Sequence, residues 1–462
     1  MLMNSQRYTI LIGLLLLGFI GCNHKKKNTP EPIETPKNET NRPMEFASDS
    51  DFLDFIQKTH FNYMWEGAEE NSGLACERIH IDGNYPTNDQ HIITTGGSGF
   101  GIAGILVGIE RGFITREQAV ERLLKIVSFL EKADRYHGIW SHWIDGKTGK
   151  TKPFGTKDNG GDIVESAFLM QGLLCARQYF KNGNSTEKQL ANRIDTLWKE
   201  MNWTWYLNNK DVLYWHWSPE YDWQINFPLE GYNECLITYI LAASSPTHTI
   251  PASAYHNGWA RAGGIKTDKK AYNLPLILKH NGAESYGGPL FWAHYSYIGL
   301  NPKGLTDKYA DYWQLNRNHT LINYNYCVEN PNKFKGYGKN CWGLTASYSI
   351  NGYSAHHPVV NDKAVITPTA ALSSFPYTPE ESMEALKHFY FNLGDKIWGK
   401  YGFYDAFSEQ HNWFPNRYLA IDQLTIAPMI ENHRTGLLWR LFMSCPEVQE
   451  GLKKLGFNVS SI

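Results

Sequence analysis

The chain has 462 residues, and its 44 Lys and Arg against 46 Asp and Glu leave a formal net charge of −2. No basic stripe occurs outside residues 25–27, so nucleic acid is not expected as a partner. The compositional outlier is the aromatic fraction of 14%, with 16 Trp and 27 Tyr. Because aromatic rings pack well and also offer flat faces to sugar rings, this content indicates packing beneath long loops together with a carbohydrate cleft.

The N-terminus has the pattern of an export signal. Arg7 precedes an apolar stretch over residues 11–20, which is too short to span a membrane as a mature helix. Residues 19–22 (Phe-Ile-Gly-Cys) are typical of a bacterial lipoprotein cleavage site, although leucine is usual at the first of these positions. We therefore predict a signal peptide over residues 1–21 and lipidation of Cys22. The alternative is a plain secretory signal with an incidental cysteine.

Residues 22–45 form the predicted linker, in which four prolines stand among charged and polar residues. Such a segment buries little apolar surface and serves as a spacer. Residues 25–27 are all lysine, which favours anionic lipid headgroups and argues against surface display. The expected location is the periplasm, lipid-anchored to the outer membrane and facing inward, with the anchor as the membrane contact. One folded domain is predicted over residues 46–462.

The folded region is predicted to consist mainly of helices of two kinds. Some segments have a single apolar face, and residues 115–118 resemble a capping box that opens one of them. Segments of this kind lie near 51–65, 116–130, 185–201, 307–328 and 379–393. Other segments are apolar on nearly every side, which is typical of fully buried helices. These cover 163–176, 235–243 and 424–430, the last continuing towards 437–442.

Half-exposed helices that alternate with buried ones predict an all-α fold, a double ring of helices with long aromatic-rich loops on one face. Strand-like segments are short and local, for example residues 139–144. Residues 99–104 match G-x-G-x-x-G, but no series of βαβ units follows them. We interpret these small residues as allowing two helices to approach closely.

Six cysteines follow Cys22, and no two of them have the C-x-x-C spacing of a zinc or redox motif. Cys175 and Cys235 lie in apolar helical segments and are predicted to be small buried hydrophobes. Export permits disulfides, so a bond between Cys327 and Cys341 is conceivable, but the sequence does not decide it. H-E-x-x-H, P-loop and G-x-S-x-G motifs are absent from the sequence, and we predict neither a metal nor a cofactor.

Three of the most apolar helical segments begin at or just after acidic residues. Asp158, Asp162 and Glu165 open the first, Glu234 opens the second and Asp422 opens the third. A carboxylate without a partner is costly in such surroundings, so each needs a hydrogen-bonding partner or a function. The simpler interpretation is helix capping, with Asp162 as the N-cap and Glu165 at N3. If the helices share a direction, their N-termini open onto one face and surround one cavity.

This set of carboxyl groups meets the needs of glycoside hydrolysis. One group donates a proton to the leaving oxygen, and a second acts as nucleophile or activates water. Because the proton donor must be the more deeply buried group, Glu234 is the better donor and Asp422 the better ionised base. Trp140, Trp143 and Trp217 stand in polar, loop-like stretches and are predicted to contact the substrate.

At these residues the chain resembles glycoside hydrolase family 144, the bacterial β-1,2-glucanases, whose domain is often labelled glucoamylase-like. The resemblance covers essentially the whole folded region. It includes residues 95–101 (TGGSGFG), 158–165 (DNGGDIVE), 230–234 (EGYNE) and 422–428 (DQLTIAP). The second and third motifs are the most specific, and none of these carboxylates departs from the pattern.

The resemblance implies an (α/α)6 toroid and inverting hydrolysis of β-1,2-linked glucose polymers or oligomers without a metal. It also implies that Asp158, Asp162, Glu165, Glu234 and Asp422 line the site. Related enzymes on these glucans indicate that the acid works through a substrate hydroxyl. The family has endo-acting members and exo-acting members that release sophorose, and no motif above separates them.

Two other functions compete with this interpretation. The first is an exo-acting α-glucan hydrolase, as the glucoamylase label would indicate. The second is a non-catalytic glycan-binding lipoprotein of an uptake system, which would also be helical and rich in aromatic residues. Such binding proteins have no requirement for paired buried carboxylates.

Overall fold

The computed structural model describes residues 44–460. The predicted signal peptide, Cys22 and nearly all of the linker lie outside this range, so the predictions made for them stay predictions. Within residues 44–460, no helix has both the length and the apolar character needed to cross a membrane.

The described part of the chain is mainly helical. Its α-helices are α1 (Asp49–Trp65), α2 (Thr95–Glu110), α3 (Arg116–Leu130), α4 (Ile163–Phe180), α5 (Ser185–Glu200), α6 (Leu236–Ser244), α7 (Tyr312–Glu329), α8 (Pro368–Leu372), α9 (Pro379–Phe391), α10 (Gly394–Ile397), α11 (Ala420–Gln423), α12 (Ile426–Arg434), α13 (Leu437–Met443) and α14 (Pro446–Lys454). Short 3-10 turns occur at Trp205–Leu207, Arg261–Gly263, Leu290–Ala293 and Tyr295–Tyr297, and a π-helical turn at Ala254–Trp259.

Short strands order the loops between these helices. They are β1 (Arg78–His80), β2 (Ile92–Thr94), β3 (Arg135–Tyr136), β4 (Ile139–Trp140), β5 (Trp143–Asp145), β6 (Thr151–Lys152), β7 (Gly161–Asp162), β8 (His216–Trp217), β9 (Lys270–Ala271), β10 (Leu274–Pro275), β11 (Leu305–Thr306), β12 (Ala346–Ser349), β13 (Gly352–Ala355), β14 (Trp398–Gly399), β15 (Gly402–Phe403), β16 (Arg417–Leu419) and β17 (Asn458–Val459). They form one three-stranded sheet, β2-β5-β6, and seven antiparallel pairs. The helical class is therefore confirmed in its coarse form, with small sheets added in the loops.

The two predicted kinds of helix are both present. Every residue of α6 is buried, and so is every residue of α4 except Tyr179. By contrast, α3 and α5 bury one face and leave the other to solvent. The capping box before α3 is confirmed, because Thr115 Oγ1 accepts the Gln118 N–H at 3.2 Å and the Gln118 side chain accepts the Thr115 N–H at 2.8 Å.

The start of α7 differs from the prediction. The helix begins at Tyr312 and not near residue 307, because Asp311 supplies the N-cap and accepts the Gln314 N–H at 3.0 Å. Asp307 instead closes the preceding turn, where its Oδ1 accepts the N–H groups of Tyr309 and Ala310 at 2.8 and 2.9 Å. Both aspartates have a side chain suited to a cap, and the fold uses them for different turns.

Glycines bring α2 and α4 into close contact. A Cβ atom added at Gly99 would lie 2.1 Å from the Phe168 carbonyl oxygen, and one at Gly172 would lie 2.0 Å from the Gly99 carbonyl oxygen. No other residue fits at either position without moving a backbone. The interpretation of residues 99–104 as a helix contact is confirmed at Gly99, which lies inside α2.

Helix α1 packs against the buried helix α12. Gln57 of α1 donates to the Ala427 carbonyl at 3.1 Å and to the Glu431 carboxylate at 3.0 Å, both on α12. Arg434, at the end of α12, donates to Asp54 of α1 at 2.6 Å. These bonds join the first helix to a helix that lies 370 residues or more later in the chain.

The six cysteines of the described region are all free and buried. Cys175 and Cys235 lie within α4 and just before α6, as expected for small buried hydrophobes. Cys327 and Cys341 remain separate thiols, so the conceivable disulfide is not present in this structure.

Candidate active site

Asp162 is the N-cap of α4 and is fully buried. Its Oδ1 accepts the backbone N–H groups of Val164 and Glu165, each at 2.9 Å. Its Oδ2 accepts the Trp215 indole N–H at 2.9 Å and lies 3.1 Å from His142 Nδ1. Both carboxylate oxygens are thus occupied by protein groups. Asp162 caps the helix, as the simpler interpretation predicted, and holds two neighbouring side chains in place.

Glu165 reaches away from its own helix. Its Oε2 accepts the Gly96 N–H at the start of α2 at 2.8 Å, so it does not complete a capping box with Asp162. A Cβ atom at Gly96 would lie 2.4 Å from that oxygen, which explains the glycine. Burial raises the pKa of Glu165 to about 8, with His142 opposing the shift and Asp162 adding to it.

His142 supplies positive charge to these carboxyl groups. Its burial alone would lower its pKa, but the carboxyl groups of Glu165, Asp162 and Asp158 outweigh that effect and raise the pKa to about 10. Phe154 stacks on the imidazole with 4.1 Å between ring centroids. His142 is therefore an imidazolium at neutral pH, held between an aromatic ring and three acidic side chains.

Asp158 lies beside a second histidine. Strands β7 and β8 place Asp162 directly opposite His216, so their side chains share one face. His216 Nε2 accepts the Gly160 N–H at 3.0 Å and lies 3.4 Å from Asp158 Oδ1. Burial lowers the pKa of His216 to about 4 and raises that of Asp158 to about 7. Unlike His142, His216 is neutral at neutral pH.

Glu234 lies just before α6 and does not cap it. Cys235 is the N-cap and no side chain caps the helix, while Asn233 closes the preceding turn by accepting the Cys235 N–H at 3.0 Å through its Oδ1. The Ser296 hydroxyl donates to the Glu234 carbonyl and so holds the backbone at this turn. The Glu234 side chain is consequently free for another use.

The surroundings of the Glu234 carboxyl suit a proton donor. The side chain is half-buried, and burial raises its pKa to about 7. The negative charge of Asp162 adds to the shift, while the indole of Trp292 opposes it. A carboxyl group that keeps its proton near neutral pH and still reaches solvent is able to donate that proton, and the acid role of Glu234 stays a prediction. The burial criterion behind the assignment is wrong, because Asp422 and not Glu234 is the more deeply buried of the two groups.

Asp422 lies in α11 and is 1% exposed. Its Oδ1 accepts the Tyr295 hydroxyl at 2.8 Å, and its carbonyl accepts the hydroxyls of Thr369 and Thr425 at 2.7 and 2.8 Å. Burial raises the pKa of Asp422 well above its ordinary value, and Asp405 adds to the shift. The expectation that Asp422 is an ionised base by itself is therefore not supported by its surroundings.

Several residues of the cluster were not singled out in the sequence. Asp405 and Glu77 are buried carboxyl groups near Asp422, and the half-buried Tyr353 lies among Glu77, Asp405, Asp422 and Glu234. Asp405 carries a weaker signal than the other carboxylates, because it stands in the apolar run Gly-Phe-Tyr-Asp-Ala-Phe at residues 402–407 but opens no helix. Glu77 and His142 carry no comparable signal in their local sequence.

The three predicted tryptophans have different surroundings. Trp140 is fully buried in the core, and its indole N–H donates to the Leu130 carbonyl at 3.1 Å, so its faces are not available to a sugar. Trp143 is half-buried beneath the Arg78 guanidinium, 5.3 Å from its ring centroid. Trp217 follows His216 in β8 and so points to the opposite face, where it contacts Trp205.

A cavity of about 530 Å³ opens beside the segment that leads to Glu234. Phe227, Glu230, Arg261 and Asn281 are among its lining residues, and the predicted carboxylates are not. Asn281 donates to the Glu230 carbonyl at 2.7 Å and so connects this cavity to the 230–234 motif. The structure therefore places an open cavity beside the 230–234 motif.

One group of side chains in the described chain could hold a metal ion. Cys341, His388 and Glu409 have ligand atoms within 4.8 Å of one another, and this is the one such group among residues 44–460. It lies outside the carboxyl cluster. The cluster itself offers hydrogen-bonded and proton-bearing carboxyl groups, which suit acid–base chemistry.

Several known proteins are similar to this chain over most of its length. The family model described as "Glycoamylase: Putative glucoamylase" matches residues 226–446. The endo-β-1,2-glucanase from Chitinophaga pinensis, solved with sophorotriose and glucose, is 63% identical, covers 89% of this chain and 99% of its own, and has a TM-score of 0.89. A structure from Bacteroides caccae ATCC 43185, described in the same words as the family model, is 60% identical, with 89% and 100% coverage and a TM-score of 0.88.

A curated relative comes from Parabacteroides distasonis. It is named an exo β-1,2-glucooligosaccharide sophorohydrolase acting at the non-reducing end, and it is 50% identical over 425 residues. The match covers 88% of this chain, while this chain spans 58% of the relative's length. The chain belongs to this family of bacterial β-1,2-glucanases, and the resemblance to glycoside hydrolase family 144 is confirmed.

Proposed function

We propose that this protein is a glycoside hydrolase that cleaves β-1,2-glucosidic bonds in β-1,2-glucan or β-1,2-glucooligosaccharides, with inversion at the anomeric carbon. The observation that carries the proposal is the half-buried Glu234 carboxyl group, whose pKa is raised to about 7 by burial beside several more deeply buried carboxyl groups. Two relatives of this family are named for the endo-acting and the exo-acting reaction on these substrates. The proposal therefore includes both endo-acting and exo-acting cleavage.

In the proposed reaction, Glu234 supplies the proton that the leaving glycosidic oxygen takes up. Asp422, or a carboxyl group beside it, accepts a proton from the attacking water. Inversion requires room for that water, so the two groups are expected roughly 6.5–9.5 Å apart, or farther if a sugar hydroxyl relays the proton. His142 and Asp162 hold the neighbouring backbone and charge in place.

The proposed architecture is an (α/α)6 toroid. Half-buried helical segments alternate along the chain with buried ones, and the bonds between α1 and α12 bring the last segment back to the first. The half-buried segments are α1, α3, α5, Ala254–Trp259, α7 and α9, and the buried segments are α2, α4, α6, the turns at Leu290–Ala293 and Tyr295–Tyr297, α8, and α11 with α12. Six outer and six inner segments would leave the inner N-termini around one cavity.

Digestion of linear β-1,2-glucan tests this function. We expect the first-formed product to have inverted anomeric configuration by NMR or polarimetry, and a length-resolved time course to show either sophorose from chain ends or a range of oligomers. Starch serves as the control substrate and should remain intact. Retention at the anomeric carbon would contradict the inverting mechanism, cleavage of starch alone would favour the α-glucan hydrolase, and substrate bound but never cleaved would favour the glycan-binding protein.

The location of the protein is a further part of the proposal. The lipoprotein-type signal, Cys22 and the lysines at 25–27 support a protein anchored by lipid and facing the periplasm. The linker of residues 28–45 would let the domain stand off the membrane, by about 55 Å if fully extended as polyproline II at about 3.1 Å per residue. Such an enzyme would act on oligosaccharides already imported across the outer membrane.

Protease treatment of cells tests the location. We expect protease added to intact cells to leave the protein uncut and permeabilised cells to lose it. Replacing Cys22 by alanine should release the protein into the soluble periplasmic fraction with its specific activity unchanged, because the anchor contributes no chemistry. Equal digestion in intact and permeabilised cells would place the domain outside.

A further inference from the structure

Asp405 and Asp422 form a buried pair whose role the reaction described so far does not explain. Asp405 follows β15 and is 4% exposed, and Asp422 lies in α11 and is 1% exposed. The two residues come from different segments, and their side chains are within hydrogen-bonding contact of each other. Neither has a lysine or arginine among the groups that act on it.

Each carboxyl group of the pair has one oxygen held by a fixed donor. Asp405 Oδ2 accepts the Tyr348 backbone N–H at 2.7 Å, and Asp422 Oδ1 accepts the Tyr295 hydroxyl at 2.8 Å. The other two oxygens, Asp405 Oδ1 and Asp422 Oδ2, are buried and receive no hydrogen bond from any donor in the described chain. Two ionised carboxylates cannot satisfy each other, because both are acceptors only. One proton between them turns the contact into a hydrogen bond.

The groups around the pair disfavour a second negative charge. Glu77 raises the pKa of both aspartates, although burial is the larger cause. Tyr353 lies near both and also near Glu234. Arg78 and Arg417 lower the pKa of Tyr348, whose backbone N–H is bonded to Asp405. Burial raises the pKa of Asp405 to about 7 and that of Asp422 well above its ordinary range, which fits one proton retained by the pair above neutral pH.

We propose that Asp405 and Asp422 share one proton and act together as the base of the hydrolytic site, with Asp405 as the residue that positions and tunes Asp422. This inference rests on the proposed function. During the reaction an O–H bond of water breaks, its oxygen bonds to the anomeric carbon, and its proton passes to the singly charged pair, which becomes neutral. The glycosidic C–O bond breaks as its oxygen takes the Glu234 proton. Exchange with solvent afterwards restores the proton on Glu234 and removes one from the pair.

Asp405→Asn tests the positioning role. Asparagine resembles the protonated form of Asp405, because its amide still donates a hydrogen bond to Asp422 Oδ2, but it cannot exchange a proton with Asp422. We expect kcat at the plateau to fall about tenfold or more, and the ionisation that removes the shared proton at high pH to disappear from the kcat/KM profile. Asp307→Asn is the matched control, because Asp307 also accepts tyrosine hydroxyls but lies outside the cluster. The Asp307→Asn substitution should leave the pH profile of kcat/KM unchanged.

Infrared spectroscopy with labelled aspartate gives a readout that needs no substrate. At about pH 9.5, above the pKa of about 7 to 8 that burial gives Asp158, Glu165 and Glu234, the wild type should still show one protonated aspartate. This band should vanish in Asp405→Asn and in Asp422→Asn and persist in Asp307→Asn. Its absence from the wild type, or its survival in Asp405→Asn, would overturn the proposal.

The two readouts separate this inference from the proposed function. A wild-type protein that shows the protonated aspartate but does not cleave β-1,2-glucan would contradict the proposed function and leave the shared proton in place. A wild-type protein that cleaves the glucan without that band would contradict the pair alone. An unchanged pH profile in a folded Asp405→Asn enzyme would show that Asp405 has only a structural role.

Discussion

Glu234→Gln is expected to lower kcat on β-1,2-glucan by about 10²- to 10⁴-fold, the range that general acid catalysis contributes. Glutamine keeps the shape and hydrogen-bonding capacity of the side chain, but it has no acidic proton to give. Stability should be unchanged only below about pH 4.5, where the Glu234 side chain is protonated in both the folded and the unfolded state. Because burial raises the pKa of Glu234 to about 7, the fold disfavours its ionised form, and the variant should melt at a slightly higher temperature at pH 8 than the wild type. Steady-state kinetics and thermal denaturation check both expectations.

Glu431→Gln is the matched control for this experiment. Glu431 is 1% exposed on α12 and accepts hydrogen bonds from Arg111 at 2.7 and 3.0 Å, so glutamine there breaks a buried ion pair. This variant should lose stability and keep its kcat, which is the reverse of the result expected for Glu234→Gln. If Glu234→Gln retains activity within about tenfold, a barrier change of about 1.4 kcal/mol, Glu234 is not the acid.

His142→Asn is expected to lower the free energy of unfolding by about 3 kcal/mol near pH 6, the cost of removing one partner from a buried ion pair. Asparagine can still donate to Asp162, but the positive charge near Asp158, Asp162 and Glu165 is lost. The folded state raises the pKa of His142 from 6.5 to about 10. Its stabilisation is therefore full below about pH 6.5 and disappears as the pH rises through about 10.

The difference between wild type and variant should follow this pH dependence. Denaturant unfolding monitored at several pH values is expected to show the widest gap near pH 6 and a narrowing gap towards pH 10. His91→Asn is the matched control: His91 Nε2 also lies 3.1 Å from an aspartate, Asp145, but both side chains are more than a quarter exposed. Its replacement should cost less than about 1 kcal/mol. Equal losses in the two variants would show that His142 is not the charge that balances the cluster.

The helices of this protein are largely predictable from local sequence. Apolar spacing located α1, α3, α5 and α9 to within a few residues, and the Thr115–Gln118 box marked the start of α3 because its hydrogen bonds lie within four consecutive residues. The start of α7 was misplaced because Asp307 and Asp311 both suit a cap, and which of them opens the helix depends on the turn before it.

The carboxylates were also predictable, because an acidic residue at the start of an apolar helix is visible in the sequence. Asp158, Asp162, Glu165, Glu234 and Asp422 were found in this way, and the structure places all of them at the starts of buried helices or close before them. Asp405 follows a strand and opens no helix, so this criterion would not have found it. Nor would it have found His142, because a histidine in an aromatic loop has no local feature that reveals three acidic neighbours from other segments.

The sequence by itself determined the helical class, the family and the identity of most acidic residues, since these depend on residue type and local spacing. The tertiary structure decided which of those groups carry a proton, which caps a helix and which stays free. It buried Trp140, turned Trp217 away from the carboxylates, and placed Asp405 against Asp422. These outcomes depend on desolvation and on charges brought together from distant segments, and both arise only when the chain has packed.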